Sequence, residues 1–315
     1  MGALTHLGSV ALACSLAGTA VGADSTLAPV PWRRLELSAS KLLLSATTTL
    51  LVERVQATQV GAVLWTPPEG VPLPPPGSEV VTLTSVSELP FGRREQTTVW
   101  LDAATGAALQ GHKVVSGRKA YEKVFRYTEE GFYFWRSSPA SKDEERQGPE
   151  SWSKRKSRLV RTATALPKGV VITDSYALLY LASAARLDRQ GASLQVLLLA
   201  DEQPVELVFV SAGLEQSALE YRERGTDGSR SRTREVLQRV VTVQARPVGG
   251  TAGSPEVDLG FLGLRGAVRV YLEVGTGLPL RLEGRADKIG DLRVELEAVE
   301  WAGTLPTPSS GGKEK

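Results

Sequence analysis

A chain of 315 residues holds two domains of about 150 residues each or one large all-β unit. Its 42% hydrophobic and 23% charged residues exclude a disordered chain and a multi-span membrane protein. Thirty-seven basic against 35 acidic residues leave +2, which gives no electrostatic case for wrapping nucleic acid.

Residues 4–21 form an apolar stretch relieved by small residues and His6, closing on Val21-Gly22-Ala23 before Asp24. That is a small-x-small cleavage site, so residues 1–23 read as a signal peptide and the mature chain as exported, to a periplasm or other bacterial envelope. Two readings compete: a retained membrane anchor, for which about 18 residues diluted with Gly, Ser and Thr are at the lower edge of a spanning length, and a lipoprotein box at Ala11-Leu12-Ala13-Cys14 anchored at Cys14, although Leu is missing three before the Cys. Cleavage after Ala23 removes Cys14 and His6 together, leaving no cysteine and His112 as the one imidazole. A disulfide, a thiolate nucleophile and a Cys/His zinc site are then ruled out, and no metal or cofactor is expected. His112 sits in Leu109-Gln110-Gly111-His112-Lys113 with no nucleophile-elbow pattern near any Ser, and reads as a partly exposed strand histidine.

From Trp32 onward short alternating runs rich in Val, Leu, Thr and aromatics alternate with Gly, Pro or charged turns, the pattern of antiparallel β structure. Strands are expected near 33–40, 42–55, 79–89, 95–102, 107–116, 120–128, 132–137, 157–165, 193–200, 204–212, 216–224, 234–246, 267–274, 278–285 and 290–301. The Pro-rich stretch 66–77 cannot donate ladder hydrogen bonds and reads as a loop or linker. Tyr121, Phe125, Tyr127, Phe132, Tyr133, Phe134 and Trp135 flank a turn at Glu129-Glu130-Gly131. Alternation places Phe132 and Phe134 on one face and Tyr133 and Trp135 on the other, so one aromatic face is core and the second needs a cover.

The charged stretch from Lys142 to Trp152 lacks periodicity and reads as an exposed loop. Lys154, Arg155, Lys156, Arg158 and Arg161 form a basic run balanced by Asp143, Glu144, Glu145 and Glu150, as in a strand edge that uses cations to block aggregation. From Asp174 to Gly191 the period turns helical: Asp174 caps, Tyr176, Leu179, Tyr180 and Leu187 share a face, and about four turns are expected. Arg222, Arg224, Arg230, Arg232 and Arg234 around Gly225-Thr226-Asp227-Gly228 read as the charged arms of a hairpin tip. Residues 260–266 lack the spacing and the βαβ setting of a nucleotide-binding turn. The tail, 304–315, is expected to be disordered.

An internal echo stands out. Val99-Trp100-Leu101-Asp102 with Thr105-Gly106 and Leu109 matches Val270-Tyr271-Leu272-Glu273 with Thr276-Gly277 and Leu280 in register. Each copy reads as strand, tight turn, strand; two related β sub-units, 24–165 and 166–303, or shared turn chemistry alone would each produce it. The hairpin from Tyr271 to Glu283, running on through Lys288-Ile289-Gly290 into Leu292-Arg293-Val294-Glu295-Leu296, together with Asp174-Ser175-Tyr176-Ala177-Leu178-Leu179-Tyr180, resembles a bacterial family of exported domains of unknown function. The same hairpin is similar, more loosely, to one in the lipoprotein-carrier (LolA/LolB-like) fold. That resemblance implies an open curved sheet half-closed by helix around a hydrophobic cavity, and brings no catalytic residues.

The fold expected is therefore mainly β, a curved antiparallel sheet or half-open barrel with one principal helix. The function expected is non-enzymatic binding of an apolar or amphiphilic ligand, a lipid or lipoprotein acyl chain, with Phe125, Tyr127, Phe132, Phe134 and Trp135 lining the site. Two alternatives belong to other classes: an envelope scaffold that binds a protein partner by a strand edge, and a hydrolase using carboxylates drawn from Asp102, Glu150, Asp201 and Glu273.

Overall fold

The computed structural model describes residues 26–41, 44–161, 171–200, 203–248, 259, 261, 263–286 and 290–306. Residues 1–25, which include the expected signal peptide and Cys14, the acid Asp201 and the tail beyond 306 lie outside the described residues.

Alternating burial creates the strands. Glu79–Leu89 (β3), for example, turns Val81, Leu83, Ser85 and Ser87 to one side, and all four are buried. Before it come Trp32–Lys41 (β1), Leu44–Gln56 (β2) and a one-turn helix Ala57–Val60 (α1). After it come Arg93–Asp102 (β4), Ala108–Ser116 (β5), Tyr121–Thr128 (β6), Gly131–Ser138 (β7), the short helix Lys142–Gln147 (α2) and Lys154–Arg161 (β8). The second half holds Ile172–Thr173 (β9), the helix Leu178–Ala184 (α3), Ser193–Ala200 (β10), Gln203–Gly225 (β11), Gly228–Pro247 (β12), Leu264–Glu273 (β13), Pro279–Ala286 (β14) and Gly290–Trp301 (β15).

All fifteen strands join one sheet, in which β8 through β1 run in reverse chain order, β1 pairs with β15, and β15 through β9 continue in reverse order. Neighbours are antiparallel except for β9 against β10 and one further pairing, Arg222–Arg224 of β11 against Ala298–Glu300 of β15. That pairing closes β11, β12, β13, β14 and β15 into a hydrogen-bonded ring. An up-and-down meander of five strands leaves its first and last running the same way, so the ring can close only through a parallel pair. β8, the cationic run, ends the sheet as an edge strand.

Three local expectations are corrected. The two strands expected at 204–212 and 216–224 are one 23-residue strand that bends at an irregularity between Ser211 and Gly213. The bend lets its first half pair with β10 and its end reach β15. The charged stretch after Ser141 is helical where a loop was expected, because the Ser141 hydroxyl accepts from Glu144 N at 3.2 Å and caps α2. The principal helix is shorter than four turns: a 3-10 turn at Ser175–Ala177 leads into seven α-helical residues, and the chain leaves the helix at Arg186, whose φ is +48°.

That helix, α3, is buried on every side and not along one stripe; all seven of its residues are buried. A helix apolar all round belongs inside a core, and one this short has no stability of its own in water. Its neighbours come from both halves of the chain, in one contiguous core that also takes in Leu27, Trp32, Leu101, Phe132, Phe209, Leu278 and Trp301.

The two echoed hairpins clasp it. In each, the acid's amide donates across the turn (Asp102 N to Ala107 O and Glu273 N to Leu278 O, both 2.8 Å), and the Gly amide donates back to the acid's carbonyl at 2.9 Å. In each, the Thr hydroxyl donates to the acid at 2.6 Å and accepts the amide of the next-but-one residue at 3.2 Å. The register shifts at the same place, Trp100/Leu101 and Tyr271/Leu272. Each turn's glycine carbonyl then accepts a hydroxyl from this part of the chain: Gly106 O from Thr173 of β9 at 2.9 Å, and Gly277 O from Ser183 of α3 at 2.5 Å. The Ser183 hydroxyl also accepts from Trp32 Nε1 at 3.2 Å, which ties β1 to the same helix.

Gly106 has φ +76°, and a methyl there would stand 2.7 Å from Leu181 Cδ2; at Gly191, φ +80°, nothing lies within 4 Å. Gly191→Ala is expected to cost only the left-handed backbone penalty, about 1–2 kcal/mol. Gly106→Ala adds overpacking and is expected to cost about 1–3 kcal/mol more. Urea unfolding of the two variants measures the difference, and equal losses would contradict the clasp.

Candidate functional site

The register of β5 to β8 assembles three cross-strand rows on the face that carries the core. The deepest is Tyr127 opposite Phe132, with Val160 opposite Phe132 in turn. Next is Gly111, Phe125, Phe134 and Arg158, and then Lys113, Lys123, Arg136 and Lys156. Tyr127 and Phe132 are 5% and 2% exposed, while Phe125, Phe134, Lys113, Lys123 and Arg136 are half-buried; within the two outer rows exposure rises toward the β8 edge, where Arg158 and Lys156 are exposed. Phe125 links the two aromatic rows, its ring centroid 5.7 Å from Phe132 and 5.4 Å from Phe134.

Four of the five residues expected to line a site therefore come together. Trp135 does not: it stands opposite Val124 and Ser157 on the other face, because side chains alternate along β7. That second face has its own cover. The stretch 66–77, expected to be a loop or linker, lies over it together with Trp65 just before it, the Trp65 ring 5.2 Å from Tyr133 and Leu73 N donating to Tyr127 O at 3.0 Å. Arg126, 4% exposed, holds the loop down by donating to the carbonyls of Trp65 (3.2 Å), Leu73 (2.8 Å) and Leu109 (2.5 Å). Burial lowers its guanidinium pKa.

On the core side the segment leading into α3 lies against the aromatic rows. Asp174 Oδ1 accepts from Tyr176 N at 2.9 Å and so caps the 3-10 turn, while Tyr127 OH donates to Oδ2 at 3.4 Å. Glycine at 111 makes room for this carboxylate, since a methyl there would meet Asp174 Oδ2 at 2.9 Å. Enclosure raises the Asp174 carboxyl above its ordinary range, against the pull of the Tyr176 amide, Tyr127 and Lys113. Burial, with Asp174 beside it, likewise pushes the Tyr127 hydroxyl well up. Lys113 Nζ donates to Tyr176 OH at 2.8 Å and to Glu95 Oε2 at 2.6 Å. Tyr176 meets Phe261 edge-on at 5.7 Å.

Burial disfavours both charges of the Lys113–Glu95 pair, but each is carried by its partners. Tyr176, Glu95 and Tyr121 outweigh burial and hold Lys113 above the usual lysine range; Lys113 and Arg93 hold Glu95 below the usual carboxylate range.

Two of the carboxylates considered for hydrolysis have structural duties. Asp102 and Glu273 tie the two equivalent turns, and Glu150 is exposed beside Gly148. His112 is 36% exposed and pairs with Glu122 at 2.7 Å. A groove of about 410 Å³ lies elsewhere, on β13 to β15, lined by Arg269, Glu283, Arg285, Asp291 and Arg293 and not by the aromatic hairpin. Among the described residues no group of three or more His, Cys, Asp or Glu is placed to hold a metal ion.

No protein-family model matches the chain, and no curated protein matches it. Among solved structures it is similar to a β-barrel-like protein of a domain of unknown function, DUF1849, from Brucella abortus. The two share 13% identity at a TM-score of 0.41, over 87% of this chain and 99% of that one.

Because the Glu95 pKa is lowered on folding, its contribution to stability is present above the unfolded value of 4.5 and is lost as pH falls through the folded value. Glu95→Gln is therefore expected to lower the melting temperature at pH 7, with the gap from the wild type closing as pH falls below 4.5. A gap that stays constant from pH 7 to pH 3 in thermal melts argues against the pair.

Proposed function

We propose that this chain is a non-enzymatic, exported protein of a bacterial envelope that binds an apolar or amphiphilic ligand along the inner face of β5 to β8. The observation that carries the reading is the pair Phe125 and Phe134. Two phenylalanines directly opposed on neighbouring strands stay half-buried at the rim of a core whose next aromatic row is closed. Aromatic rings left at the edge of a core give an acyl chain a surface that continues the packed interior. The leader at residues 1–23 supports export, and a lipid or the acyl chain of a lipoprotein is the ligand class available in that compartment.

Native mass spectrometry of the chain purified from a bacterial envelope, followed by denaturing lipid extraction, tests the reading. A stoichiometric lipid is expected on the wild type, lost on Phe134→Asp and kept on Trp135→Asp, which puts the same charge on the opposite face. Circular dichroism of both variants separates a lost ligand from a lost fold. A clean mass with no lipid would overturn the proposal in favour of a scaffold that meets a protein partner.

A further inference from the structure

Strand register brings two hairpin tips together at one end of the sheet. β3 turns into β4 through Pro90, Phe91 and Gly92, and β5 turns into β6 through Gly117, Arg118, Lys119 and Ala120. Arg94 of β4 stands opposite Ser116 of β5, so the tips are neighbours, and a methyl on Gly117 would stand 2.7 Å from Gly92 O. Phe91 is 90% exposed, and its φ of +65° lies in the left-handed region, where a bulky side chain is an outlier and Asn, Asp or Gly is the ordinary turn residue. Lys119 on the second tip has φ +61° and is also exposed. Both tips thus hold a strained backbone under a solvent-facing side chain, and the Phe91 ring takes no part in either hydrophobic cluster. Strain that packing does not explain points to a use outside the fold.

We infer that these two tips anchor the protein on an anionic membrane surface, with the Phe91 ring entering the interface and Arg118 and Lys119 meeting acidic headgroups. The anchor uses no residue of the aromatic rows and stands independently of the ligand reading. Residues 88–94 and 116–120 carry Arg93, Arg94, Arg118 and Lys119 against Glu88 alone. Arg94 pairs with Glu88 at 3.2 Å, and Arg93 with Glu95, one residue further in, at 2.6 Å. Arg118 and Lys119 are exposed and have no hydrogen-bond or ion-pair partner among the described residues. The next connection along this end, 139–153, carries four acids against two cations but runs straight into Lys154, Arg155 and Lys156 of β8, so the end of the sheet stays positive. A protein partner would need a packed apolar patch around the ring. The other exposed large apolar residues among those described, Val63, Val71, Leu214, Leu237 and Val274, are not on these tips. A fluid interface needs no such patch: a projecting aromatic ring seats at the boundary of headgroups and acyl chains, and each nearby Lys or Arg adds its own attraction to an anionic leaflet.

The probes are vesicles of phosphatidylcholine alone and of phosphatidylcholine with an equal part of phosphatidylglycerol, mixed with the purified chain and separated by flotation. At about 0.15 M salt the wild type is expected to bind the anionic vesicles at least about tenfold more tightly than the neutral ones. Arg118→Gln/Lys119→Asn is expected to bring that ratio near one. Phe91→Asn is expected to weaken binding to the anionic vesicles at least about tenfold. It is also expected to melt no lower than the wild type, because Asn suits a left-handed turn position. Residues 1–23 are common to all the chains compared, so a difference between them reports on the tips. Flotation of the wild type with neither vesicle, or equally with both, overturns the anchor. So does anionic binding that Phe91→Asn leaves unchanged, and a lower melting temperature for that variant assigns the ring to the fold and overturns it as well.

Discussion

The hydroxyls of Thr173 in β9 and Ser183 in α3, each donated to the glycine carbonyl of one hairpin turn, hold the wholly buried helix α3 and the strand before it between the two halves of the sheet. Most of what surrounds α3 depends on that clasp. Seven helical residues bury every side chain they have but cannot hold a helix by themselves, so the surrounding sheet must fix both ends. The N-terminal residues add to it: Leu27 N donates to Ala104 O at 2.7 Å in the first turn, and Ala28 N to Ala184 O at 2.9 Å at the helix end. With Trp32 bonded to Ser183, the first strand, the helix and the second echoed hairpin meet at one hydroxyl. Loss of such a buried partner leaves its mates without water or protein, which typically costs about 1–3 kcal/mol per group.

The same segment sets the geometry of the candidate site. Asp174 starts the helical turn and thereby brings its own carboxylate to Tyr127 and the Tyr176 hydroxyl to Lys113. The inner face of β5 to β8 thus receives its cover from the chain that enters the clasp, while its outer face receives the 61–78 loop through Arg126 and Trp65. Between these two covers, Phe125 and Phe134 stay half-buried among the described residues.

Much of this fold is legible in the sequence, because strand alternation and turn residues are local signals. Thr105-Gly106 and Thr276-Gly277 announce equivalent hairpins, and the backbone and Thr hydroxyl hydrogen bonds repeat because the acid, Thr and Gly recur at the same offsets. The misreadings have physical causes. Gly213 interrupts the alternation of β11, and a bend inside one strand then looks like a break between two. Leu187 extends the apolar period beyond the helix end, although Arg186 has already left helical geometry. The Ser141 cap with Glu144 three residues on was a readable start for α2, hidden because residues 142–146 are all charged and show no apolar period.

The candidate site was legible by halves. Alternation alone separates Trp135 from Phe134. The row of Lys113, Lys123, Arg136 and Lys156 was not, because it exists only once the register of four strands is set, and a shift of one residue would turn these cations to the outside. Lys156 was visible only as part of a basic run, where edge protection was a sufficient account of it.

The most direct test of the account is a crystal structure of the chain bound to a single-chain lipid. The account predicts the acyl chain against Phe125 and Phe134. A lipid found instead in the charged groove of β13 to β15, with the aromatic rows unchanged and uncovered, would contradict it.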